Sequence, residues 1–200
     1  KRRSKLMKQV KTKVTAAIVW LMALILVASL SACGEKLTPS AVDAVGTPNS
    51  GFVLTSSEVA EGGDLPKEYT CDGASATLPL AWSGAPAGTQ SFVVIMHHIP
   101  GPGDSHWYWI LYNIPATVDQ LPKNVTGIGV LGNNSVNERT EYAPPCSKGP
   151  GKKIYTYTIY ALAQPPQLTV APEKVTRNLL LEAIQDRTLA SARLNVSYTR

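Results

Sequence analysis

Acidic residues are missing from the first 34 positions of the chain, where Lys1, Arg2, Arg3, Lys5, Lys8, Lys11 and Lys13 stand unopposed. That imbalance accounts for the whole positive charge. The chain has 19 Lys and Arg against 14 Asp and Glu, a net charge of +5, but beyond residue 13 the count is 12 basic against 14 acidic. A slightly negative domain lacks the electrostatic footprint of a nucleic-acid binder, so nucleic acid is excluded as a partner. The sequence also lacks a Gly-x-Ser-x-Gly elbow, a Walker loop and a paired-acid motif. Ser105 adjoins His106, but a nucleophile needs a base that a third group holds in place. No enzyme and no cofactor are expected. Internal repeats are absent too.

Long apolar runs are scarce, and the exception is informative. Residues 14–30 are apolar apart from Thr15 and Ser29, and they lead into Leu30-Ser31-Ala32-Cys33. A basic stretch, an apolar stretch and a small-residue site in that order form a secretory signal, expected to start at Met7. The run is at the short end of the transmembrane range, so an uncleaved membrane anchor is the alternative. Leu-Ser-Ala-Cys resembles the bacterial lipobox, which implies cleavage after residue 32 and a diacylglycerol on Cys33. Several acyl chains on one residue give stable anchoring. The expected product is a lipoprotein of the cell envelope, on the periplasmic or cell-surface side of a membrane.

Cysteine is rare as well, with three in the chain. With Cys33 taken by lipid, Cys71 and Cys146 are left as an even pair, expected to form one disulfide in an oxidising compartment. Two separately buried thiols are the alternative. Residues 33–50 are small, polar and Pro-containing, the composition of a flexible tether. Residues 51–200 are long enough for one domain with its own core.

That domain is punctuated by Pro and Gly. Short apolar or aromatic runs at 52–55, 78–82, 91–96, 107–113 and 154–162 read as strands. Within the last, Ile154, Thr156, Thr158 and Tyr160 share one face and Tyr155, Tyr157 and Ile159 the other, and both faces should be at least partly covered. Only 172–187 has a helical rhythm. Val175, Leu179 and Ala183, with Leu180 and Ile184, form its stripe, and Pro172 suits its first turn. A final strand is expected over 193–198. The fold class is mainly β, a β-sandwich with a C-terminal helix.

Several short motifs then occur in order: Asp64-Leu65-Pro66, Tyr69-Thr70-Cys71-Asp72-Gly73, Leu78-Pro79-Leu80-Ala81-Trp82, the 85–92 stretch APAGTQSF, Leu111-Tyr112-Asn113-Ile114-Pro115 and Tyr160-Ala161-Leu162. Together they resemble the phosphatidylethanolamine-binding protein family, in particular its bacterial Raf-kinase-inhibitor-like branch, over roughly residues 52–200. The resemblance implies a Greek-key β-sandwich with a small surface pocket for phosphate or a phospholipid head group. It also implies a set of pocket motifs from which this chain departs. The family's Asp-Pro-Asp triplet falls on His98-Ile99-Pro100, and its His-Trp pair on Tyr108-Trp109. Its Gly-x-His-Arg-Tyr run falls on Gly151-Lys152-Lys153-Ile154-Tyr155, and its proline loop on 142–149, which keeps Pro145, Cys146 and Gly149. The usual carboxylates and histidines are replaced.

The replacements are chemically coherent. His97, His98 and His106, the chain's only histidines, flank one loop, 99–105. Lys152 and Lys153 would join the same rim, Tyr108 and Tyr155 supply hydroxyls, and Trp107 and Trp109 supply flat walls. Such a cleft suits phosphate or carboxylate through charge-assisted hydrogen bonds. The expected ligand-binding residues are His98, Tyr108, Lys153, Tyr155 and His106, for a small anionic ligand or phospholipid head group. Alternation places Trp107 and Trp109 on one face and Tyr108 on the other, where the tryptophans could simply be core. Adjacent His97 and His98 face opposite ways, and no complete ligand set is visible, so no metal site is expected. Two other readings stay open. One is an interaction or inhibitor module docking on an envelope protein through 99–105 and 132–139. The other is a histidine-based metal site or hydrolase.

Overall fold

The computed structural model describes residues 51–101, 105–146 and 148–200. The signal, Cys33 and the tether lie outside the described residues. Among the described residues, eight strands form two antiparallel sheets. The smaller joins β1 (Val53–Thr55), β2 (Leu80–Ser83) and β5 (Gln120–Leu121) in the order β1-β2-β5. The larger runs β6-β4-β3-β7-β8. Its members are β3 (Ser91–His98), β4 (His106–Pro115), β6 (Val130–Leu131), β7 (Lys152–Leu162) and β8 (Thr188–Thr199). The expected strands are all present. The short β5 and β6 were not expected, since two residues carry no period.

Alternation divides the core in two. Phe92, Val94 and Met96 of β3, with Tyr155, Tyr157 and Ile159 of β7, face Leu54, Leu80 and Trp82 across the sandwich. Val93 and Ile95, with Tyr160 and Leu162, face the other way, against Val175, Leu180 and Ile184. The two faces of β7 are therefore both covered, as its sequence predicts, except that Ile154 is exposed.

The helical segment differs from expectation. Pro172–Lys174 is a 3₁₀ turn, the chain extends at Val175, and α1 covers only Arg177–Ile184. Thr176 caps it, its side chain accepting from the Leu179 amide, so the start signal is a threonine and not Pro172. Leu179 and Ala183 are half-exposed, whereas Arg177 is buried. The break at Val175 rotates the stripe relative to one continuous helix.

β4 contains two irregularities in its pairing with β3. Met96 pairs with Trp109 and His97 with Trp107, so Tyr108 is an extra residue without an opposite number. A bulge of this kind re-aims the side chains beside it. Trp109 and Tyr108 both enter the sandwich core, while Trp107 packs on the helix side. The expectation that the two tryptophans share a face is thereby corrected.

Candidate functional site

The bulge builds the site. Tyr108, turned inward, meets Tyr155 edge to face with ring centroids 5.2 Å apart. His98 follows Met96 on the inner face of β3 and lies with its ring centroid 5.4 Å from that of Tyr155. The imidazole is fixed by a 2.7 Å hydrogen bond between Nδ1 and the Ile154 carbonyl, with Nε2 at the other edge of the ring. His106 is the cross-strand partner of His98 and is exposed; directly opposite residues project to the same face. Lys153 lies two residues before Tyr155 on β7, hence on the same face. Its Nζ donates to the Gly149 carbonyl at 3.2 Å.

Three of the five expected ligand-binding residues, His98, Tyr108 and Tyr155, thus pack together, and Lys153 and His106 border them by strand position. Lys152 does not join them. It turns to the opposite face and lies 3.8 Å from Asp64. His97 is buried toward the helix-side face, 4 % exposed, opposite to His98 as strand geometry requires.

Tyr155 is fully buried, yet no hydrogen bond of good geometry reaches its hydroxyl among the described residues. Burial raises its pKa most, with the nearby Tyr108, Tyr142 and Tyr198 adding to the effect. Burial also raises Tyr108, partly offset by its interaction with Tyr155. Both phenols are therefore neutral at physiological pH and available as donors. A buried donor whose hydrogen bond is poorly made is costly, and its place beside an imidazole, on the face that bears Lys153, makes it suited to an incoming anion.

The proline loop forms one wall. The Ala143 amide donates to Tyr108 O at 2.8 Å, the Cys71 amide to Pro145 O at 3.1 Å, and Tyr142 Oη to Tyr69 O at 2.9 Å. Cys71 and Cys146 form a disulfide, so the even pair is bridged as expected. Beside it is a cluster that the sequence reading missed. Tyr198, the β8 partner of Lys153, donates its hydroxyl to Asp72. Arg200 lies 3.1 Å from the same carboxylate. Asp72 is 126 residues from Tyr198, and no local spacing signals the pairing. Among the described residues, no three His, Cys, Asp or Glu side chains converge as a metal site.

Comparison with known proteins decides the affiliation. The family model for phosphatidylethanolamine-binding protein matches residues 55–199. The chain belongs to the phosphatidylethanolamine-binding protein family. It is 34 % identical over 152 residues to a UPF0098 protein of Chlamydia muridarum, covering 72 % of this chain and 97 % of that protein. A UPF0098 protein of Methanothermobacter thermautotrophicus is 31 % identical over 143 residues, with 69 % and 92 % covered. Among solved structures, a phosphatidylethanolamine-binding protein homologue from Chlamydia trachomatis superposes with a TM-score of 0.68 at 29 % identity, covering 76 % of this chain and 99 % of that one. Escherichia coli YbcL, described as a member of the mammalian family, gives 0.67 at 26 %, with the same coverage. The sandwich is accordingly that of the family, and membership implies a ligand-binding role.

Proposed function

We propose that this chain is a non-catalytic, lipid-anchored binding protein of the cell envelope that takes a small anion, a phosphorylated ligand or a phospholipid head group. The observation that carries the reading is the buried hydroxyl of Tyr155, for which no described residue offers a hydrogen bond of good geometry, on a ring packed against those of Tyr108 and His98 on the face that bears Lys153. Phosphate would accept hydrogen bonds from the two phenols and from the His98 ring edge, and Lys153 would swing from Gly149 to pair with it. Export and lipid attachment rest on the 14–33 segment and its lipobox. Labelling of expressed protein with a radioactive fatty acid, lost in Cys33→Ala, tests them.

The site itself is tested by calorimetry with inorganic phosphate and with glycerophosphoethanolamine. Binding by the intact domain, weakened in His98→Ala and Lys153→Ala, supports the reading. Absence of binding by either probe removes it. A docking role toward an envelope protein is a second reading. Val136, 49 % exposed, crowns a loop held by Asn134, and cross-linking through that loop in intact cells would favour it.

A further inference from the structure

The disulfide joins two walls of the site. One is the proline loop, which reaches Tyr108 through Ala143 and Lys153 through Gly149. The other is the turn carrying Asp72, which holds Tyr198 beside Lys153. Cys146 is exposed and Cys71 half-buried, so an external thiol can reach the bond. Among the described residues, the loop's other ties are the Ala143–Tyr108, Cys71–Pro145 and Tyr142–Tyr69 hydrogen bonds. Pro144, Pro145 and Pro150 offer no amide, and Gly149 and Gly151 have φ of +142° and +105°, where glycine keeps the backbone unstrained. Arg200 Nη1 lies 3.4 Å from Cys146 Sγ, and a guanidinium there favours the thiolate.

We propose that the Cys71–Cys146 disulfide is a redox-sensitive clip that holds the proline loop against the anion site, so that a dithiol reductant loosens the loop and weakens binding. The proposal rests on the anion-binding reading for its consequence but not for its structural content. A reductant thiolate attacks the exposed Cys146 sulfur and the S–S bond breaks, releasing Cys71 as a thiolate. The reductant's second thiolate then displaces Cys146, whose thiolate Arg200 stabilises. The reductant leaves as its own disulfide, and its two protons end on the cysteines.

The test compares the intact domain before and after treatment with dithiothreitol, by amide hydrogen exchange and by phosphate titration. Exchange at Ala143, Cys71 and Asp72, whose amides are hydrogen-bonded in or beside the loop, should rise roughly tenfold while the β3 and β7 amides stay protected. The phosphate dissociation constant should rise by a similar factor, roughly tenfold. The Cys71→Ser/Cys146→Ser double variant should reproduce the reduced state and ignore the reductant. Unchanged exchange in the loop overturns the clip. So does loss of protection throughout β3 and β7, which would make the bond a staple of the whole fold. Equal phosphate affinity in both states overturns the control of binding. If neither state binds phosphate, the anion reading fails, and the exchange pattern alone decides whether the clip exists.

Discussion

Tyr155 gives up water for its hydroxyl and receives no hydrogen bond of good geometry in exchange. Removing that hydroxyl should therefore not harm the fold. Tyr155→Phe is expected to leave the denaturation midpoint unchanged or to raise stability by up to about 1 kcal/mol, while weakening phosphate binding about tenfold. A purely structural tyrosine would show the reverse pattern, lost stability with no binding to lose. His98→Ala and Lys153→Ala each remove a donor to a charged ligand, worth about 1.5–3 kcal/mol, roughly a ten- to hundredfold rise in dissociation constant by calorimetry. Lys152→Ala serves as the control, because Lys152 faces Asp64 and not the cluster.

At the scale of elements, β4 and the segment after β6 set the position of these side chains. The bulge at Tyr108 was not legible in the sequence. Strict alternation would have sent Tyr108 away from Trp109, and only the pairing of Met96 with Trp109 and His97 with Trp107 reveals the extra residue. The break at Val175 was hidden for a similar reason, since a 3.6-residue period continues through it. By contrast, the Tyr-Thr alternation of β7 predicted its two faces correctly, because both are covered by neighbours. Asn134 organises the approach to the proline loop. Fully buried, its side chain donates to the carbonyls of Arg139 and Glu141 and accepts from the amides of Val136 and Asn137. Asn134→Ala strands several of these groups and should cost about 2–3 kcal/mol in chemical denaturation. A cost under about 0.5 kcal/mol, the level of ordinary surface substitutions, would show that the loop does not depend on it.

For the whole molecule, the buried phenols make stability sensitive to alkali. Burial, helped by Glu58 and Glu68, pushes Tyr69 up to about 12, and burial raises Tyr142, Tyr155 and Tyr157 as well. Below the ordinary tyrosine value of 10 the folded and unfolded chains hold the same phenolic protons, so these groups add no pH dependence. Above it the unfolded chain releases protons that the folded chain keeps, and stability must fall as pH rises from 10 toward 12. Tyrosinate absorbance from the buried phenols should appear together with loss of structure, not ahead of it. The disulfide acts on the same scale. It closes a separation of 75 residues, and reduction is expected to loosen the proline loop while the β3 and β7 core stays folded. Parity of the cysteines beyond Cys33 made that bond legible. The Asp72–Tyr198–Arg200 cluster beside it was not, because its members meet only when β8 closes the sheet.

The most direct test follows the amide resonances of uniformly labelled domain during titration with inorganic phosphate. Saturable shifts concentrated at His98, Tyr108, Lys153 and Tyr155 are the expected result. Saturable shifts centred instead on the cavity of about 530 Å³ lined by Leu80, Val118, Gln120 and Ile128, or no saturable shift at all, would contradict the proposed site.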